Sequence, residues 1–144
     1  MEHYKTMAVA LKPKEDAGPF LTRAAEIARA RKIHVILCSV IDAGMRGSAF
    51  SYRAADTDRE KAEQTEVLTR AADYLRGEGV SEVSVYVGIG SPRKVLAHDV
   101  SDIFHPDLIL CGDSTGRLRD KPRHFGNVAN YILHFSDCDV LVIR

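Results

Sequence analysis

Hydrophobic positions along this chain change period repeatedly, from the continuous or alternating runs of strands to the three-to-four-residue spacing of helices. Residues 4–11 (YKTMAVAL) read as a strand, and residues 17–32 place Phe20, Leu21, Ala24, Ile27 and Ala28 on one helical face. Residues 33–41 (IHVILCSVI) are nearly continuous in apolar side chains, as in a strand covered on both faces. The polar stretch 42–55, with Gly44, Gly47 and Ser48, predicts a loop. A helix over 56–76 aligns Val67, Leu68, Ala71 and Leu75 and stops at Gly77 and Gly79. Residues 82–87 (EVSVYV) alternate as a strand does, and Gly88, Gly90 and Pro92 make the turn that follows. Ser91 is the expected N-cap of a helix over 92–104, with Pro92 in its first position and Val95, Leu96, Val100 and Ile103 as its apolar stripe. Pro106 ends that helix, DLILC (107–111) is a fourth strand and 112–125 is irregular. A last helix over 126–135 carries Val128, Ala129, Ile132 and Leu133, and DVLVI (139–143) is the fifth strand.

The order is βαβαβαβαβ within one expected domain over residues 1–144. Alternation of this kind builds an α/β fold with a mainly parallel sheet and helices on both faces. Right-handed crossovers cover both faces only if the winding direction reverses once, which makes the sheet doubly wound and Rossmann-like. Ligands in such sheets sit at the carboxyl ends of the strands beside the reversal.

Composition narrows the functions open to this fold. Twenty basic residues balance twenty acidic ones, so no net field draws the protein to nucleic acid or anionic lipid. Cys38, Cys111 and Cys138 are far apart, two of them in apolar runs, and no CxxC occurs. That pattern predicts buried free thiols in a reducing compartment, without disulfide or metal site. The N-terminal MEHYKTMAVAL has no signal-peptide pattern and no apolar run reaches membrane-spanning length, so a soluble, cytoplasmic protein is expected.

The strongest chemical signal is CGDSTGRLRDKPRHFGNVANYIL, residues 111–133. It follows a strand and leads into a helix. Gly112 and Gly116 permit positive φ and close backbone approach, as a phosphate-cradling turn requires. Gly126 and Asn127 lie where the helix begins and its N–H groups are free. Arg117, Arg119, Lys121, Arg123 and His124 stand between them, offset by Asp120. A polyphosphate suits this combination, and so does a plain solvated loop in which Asn127 is an ordinary cap. Asp113 and Asp120 read as turn-formers rather than metal ligands.

Gly112, Gly116, nine further residues, Gly126 and Asn127, followed by the helix and VLVI, resemble the signature of the universal stress proteins. The turn GIGSP (88–92) is similar to that family's turn before its third helix, and the resemblance covers the whole chain. It implies a strand order of 3-2-1-4-5 and a stress-response protein that binds adenine nucleotides (ATP or AMP) in some members and none in others. Carried over, it implies a site at Lys12, Pro13, Val40, Ile41, Gly112, Gly116, Arg117, Gly126, Asn127 and Val128, with the backbone at Val40 and Ile41 against the adenine. Three positions depart from the nucleotide-binding pattern. Lys12 replaces an Asp, three residues rather than two separate Gly112 from Gly116, and Asn127 replaces Ser or Thr. Lys12 offers a phosphate partner where the Asp would meet the nucleoside.

Other chemistries lack their residues. No P-loop and no GxSxG occurs, and the first and third strands do not end in the acidic residues of a phospho-acceptor site. The six histidines form no H-x3-H pair, and His98 and His105 are too far apart on a helix to share an ion. The expectation is binding without catalysis, with a nucleotide-free interaction protein and a slow nucleotide hydrolase as the alternatives. In the implied order strand 139–143 is an edge, apolar on both faces, which invites pairing with a second copy. The family's dimer through this strand makes a homodimer the expectation.

Overall fold

The computed structural model describes residues 4–42, 54–112 and 127–143, with side chains from 56 and from 128 onward in the two later stretches. Five strands, β1 (Thr6–Ala10), β2 (His34–Ile41), β3 (Val83–Ile89), β4 (Leu108–Gly112) and β5 (Asp139–Ile143), form one sheet. Its order is β3-β2-β1-β4-β5. Every pairing is parallel, with Thr6 opposite His34, Met7 opposite Leu108, Val35 opposite Val83 and Leu108 opposite Asp139. The winding reverses between β3-β2-β1 on one side and β4-β5 on the other, the doubly wound order expected from the alternation.

Helices α1 (Gly18–Arg29) and α2 (Ala54–Gly77) cover one face, and α3 (92–104) and α4 (Asn127–Phe135) cover the other. Because successive strand side chains point to opposite faces, β2 feeds two cores at once. Val35 and Leu37 join Met7, Val9, Leu68 and Leu75 under α1 and α2. Ile36 and Cys38 join Ala8, Ile109, Val100 and Ile132 under α3 and α4. This explains the nearly unbroken apolar run of β2. No helix among the described residues is long and apolar enough to cross a membrane.

The helical stripes are narrower than the sequence pattern predicts. Val67, Ile103 and Leu133, expected on the apolar faces, are 37%, 53% and 40% exposed. They lie at the margins of stripes whose centres are Leu68, Val100 and Ile132, all fully buried. A second departure is in α3, where Pro92–Lys94, a π turn over Val95–Asp99, and Val100–Phe104 run on as one helical stretch. The widened turn brings three consecutive residues, Val95, Leu96 and Ala97, into contact with the core, which 3.6-residue spacing would not allow. Ser91 makes no side-chain cap bond, so its hydroxyl does not play the expected capping part, although Pro92 does occupy the start of the helix.

At the amino end of the sheet the polar groups bind one another. Asp107 Oδ2 accepts the backbone N–H groups of Lys5 (2.6 Å) and Thr6 (3.0 Å), joining the approach to β4 to the start of β1. The Tyr4 hydroxyl donates to Asp139 Oδ2 (2.5 Å), and Asp139 N donates to the Asp107 carbonyl (3.3 Å). His34 Nε2 bonds Ser84 Oγ at 2.8 Å across β2 and β3.

A candidate ligand cleft at the carboxyl ends of the strands

The opposite end of the sheet opens into a cleft of about 1250 Å³. Its walls come from the ends of β1, β2 and β4, the loop after β1, the first turns of α2 and α3, and Val128 of α4. This is the place that the reversal in a doubly wound sheet reserves for ligands. Lys12, Pro13, Val40, Gly112 and Val128, distant in sequence, line this single space. Ile41 does not. It is fully buried, and its carbonyl accepts the N–H of Gly90 at 3.0 Å. Gly116, Arg117 and Gly126 lie outside the described residues, as do Asp113, Asp120, His124 and nearly all of the loop 42–55. Asn127 is the first residue of α4, and its side chain lies outside them too.

The tip of β1 sets the position of Lys12. Leu11 N donates to the Cys38 carbonyl (2.8 Å), which carries the pairing with β2 one residue beyond the strand. The chain then turns, with Glu15 N donating to the Lys12 carbonyl at 3.0 Å, and Asp16 Oδ1 accepts the N–H of Gly18 (2.9 Å) in the first turn of α1. An exposed Lys12 and a half-buried Pro13 are thereby held at the mouth of the cleft.

Gly112 is needed for a reason the sequence does not disclose. The described glycines with positive φ are Gly79 and Gly90, so Gly112 ends β4 without the left-handed backbone anticipated for it. A Cβ at Gly112 would instead stand 2.7 Å from Cζ of Phe20. The close approach is real, but a ring from α1 makes it, and that ring also lines the cleft. Gly88 has a similar role under α3, where a Cβ would meet Val95 Cγ1 at 2.5 Å.

Sequence reasoning missed the α2 wall. Asp56, Arg59, Glu60, Glu63 and Gln64 face the cleft from the first turns of that helix, with Asp56 and Arg59 paired at 2.8 Å. It also missed Ser39, buried at the end of β2, whose hydroxyl donates to Gln64 Oε1 at 2.6 Å. The signal for Gln64 was present in its spacing. It lies four residues before Leu68, on the stripe that continues to Ala71, Ala72 and Leu75.

Cys111 also lines the cleft, and burial pushes its thiol up to about 11. Burial raises Cys38 to about 12, and raises Cys138, beside Asp139, to about 11. A thiol attacks as the thiolate, so all three are unreactive at neutral pH, in line with their reading as free structural cysteines. What the cleft offers is a lysine, a hydrogen-bonded amide, carboxylates and apolar side chains, a set suited to reversible binding of a polar organic ligand.

A profile of the universal stress protein family matches residues 3–144. A Staphylococcus saprophyticus protein assigned to the universal stress proteins is 28% identical over 142 residues, covering 98% of this chain and 84% of its own length. The solved universal stress protein from Archaeoglobus fulgidus in complex with dAMP is 26% identical with a TM-score of 0.70, covering 98% of both chains. The universal stress protein UspA from Lactobacillus plantarum has the same fold at 21% identity and a TM-score of 0.76, again over 98% of each chain. The strand order, the Gly motif and these similarities agree: the chain belongs to the universal stress protein family.

Proposed function

We propose that this protein acts in stress response as a cytoplasmic homodimer that binds an adenine nucleotide, AMP or ATP, in the carboxyl-end cleft, and that it does so without catalysing a reaction. The observation that carries this reading is the convergence of Lys12, Pro13, Val40, Gly112 and Val128 on one cleft. Lys12 supplies a cation for phosphate, and Pro13, Val40 and Val128 supply apolar surface for a base. The complex of the Archaeoglobus fulgidus relative with dAMP supports the same ligand class. Gly116, Arg117, Gly126 and Asn127 complete the proposed site by their place in the sequence motif. Dimerisation is supported by β5, which pairs only with β4 among the described residues and leaves Val140, Leu141, Val142 and Ile143 partly exposed. An apolar edge strand of this kind pairs readily with another.

The test is to denature the purified protein and identify any nucleotide released, then to measure the thermal shift on adding millimolar AMP or ATP. Released AMP or ATP, or a clear upward shift, is the expected result. An empty supernatant with no shift refutes nucleotide binding and leaves an interaction protein of this fold. Release of ADP with turnover of added ATP would make it a hydrolase instead.

A further inference from the structure

The Ser39–Gln64 pair interrupts an otherwise apolar layer. On the α1–α2 face, β2 contributes Val35 and Leu37 before Ser39, and α2 contributes Leu68, Ala71, Ala72 and Leu75 after Gln64. Both stripes turn polar only where they reach the cleft, and there they meet. Ser39 is 1% and Gln64 9% exposed, the only buried polar side chains among the described residues. Two apolar residues would fill the same place without the desolvation that a buried amide and hydroxyl incur. Core packing therefore gives no reason for this pair, whereas a ligand does.

Its geometry fixes which atoms face the ligand. The Ser39–Gln64 contact of 2.6 Å has the length of an O–H···O bond and is shorter than the usual N–H···O distance. The hydroxyl thus holds the amide oxygen, and the amide nitrogen keeps N–H donors for the cleft that the side chain lines. Asp56, Glu60 and Glu63 share that wall. Their charge disfavours a phosphate beside Gln64, while Lys12 and Lys14 stand on the loop after β1. A nucleotide accordingly lies with its phosphate toward the lysines and its nucleoside toward α2.

We propose that Gln64, held in orientation by Ser39, is a specificity-determining residue that reads the nucleoside by donating a hydrogen bond to the ribose 2′ oxygen or to a purine ring nitrogen. This rests on the nucleotide-binding reading above. The test is calorimetric titration of the full chain and its Q64L and S39A variants with AMP, dAMP and CMP. Q64L is expected to bind AMP about tenfold more weakly, the effect of losing one buried donor, and S39A by a smaller factor as the amide is freed to rotate. If the 2′ oxygen is read, the Q64L loss disappears for dAMP. If a purine nitrogen is read, it disappears for CMP. Equal affinities of Q64L and wild type for AMP, or an equal loss across all three ligands, overturns the inference and reduces the pair to a structural one. Wild type binding none of the three overturns both this inference and the reading it rests on. Q64M, matched in length to the native side chain, replaces Q64L if the leucine variant does not fold.

Discussion

The two ends of the sheet handle polarity in opposite ways. At the amino end Asp107, Tyr4, Asp139, His34 and Ser84 bind one another or backbone N–H groups, and nothing there needs a ligand. At the carboxyl end Lys12, Glu63 and Gln64 instead line an open cleft, and a buried hydroxyl holds an amide oxygen beside it. The difference teaches where this chain stores stability and where it spends burial on recognition. One end closes on itself, while the other leaves donors and charges without full use in the unliganded chain.

That contrast breaks if substitutions at the two ends have the same consequences. The largest effect is expected for Asp107→Ala, which strips a carboxylate from the N–H groups of Lys5 and Thr6. Unfolding in urea should show a loss of about 2 kcal/mol, with AMP affinity unchanged. A weakened affinity in that variant would mean that the two ends are coupled. Next comes Lys12→Glu, an exposed reversal of charge at the cleft mouth. It should leave the urea midpoint where it is and weaken AMP binding on the order of fivefold by calorimetry. A shifted midpoint with unchanged affinity would move Lys12 to the structural side.

The smallest effect sharpens the amino end. The Tyr4 phenol is raised above its ordinary value, first by its hydrogen bond to Asp139 and then by desolvation and the Asp139 charge. An acid whose folded pKa is raised contributes stability that is whole below the unfolded value near 10 and is lost as pH climbs through the folded one. Asp139→Asn should therefore bring the Tyr4 ring titration, followed by NMR, back down toward that ordinary value, with little change in melting temperature at neutral pH. A Tyr4 titration indifferent to Asp139 would show the contact is absent in solution.

Much of the fold was legible because its signals are local. The apolar run of β2, the proline at the start of α3 and the spacing of Leu68, Ala71 and Leu75 each name an element within a residue or two of its observed ends. The cleft was legible in part, since glycines and a lysine at strand ends announce an open turn. What escaped was set by packing between distant segments. Phe20 over Gly112 joins α1 to β4, and Ser39 with Gln64 joins β2 to α2. A polar residue on a helical stripe reads as a break in the pattern until its partner on a strand is seen.

The π turn in α3 has a consequence for how this gene can change length. Such a turn is an ordinary helix carrying one additional residue. Removing any residue of Val95–Asp99 would restore regular winding, a local gain, yet turn everything downstream by about 100°. Val100 would swing out of the core and Asp102 or Ile103 toward it, so a single-codon deletion there should be far less tolerated than a conservative replacement at the same site.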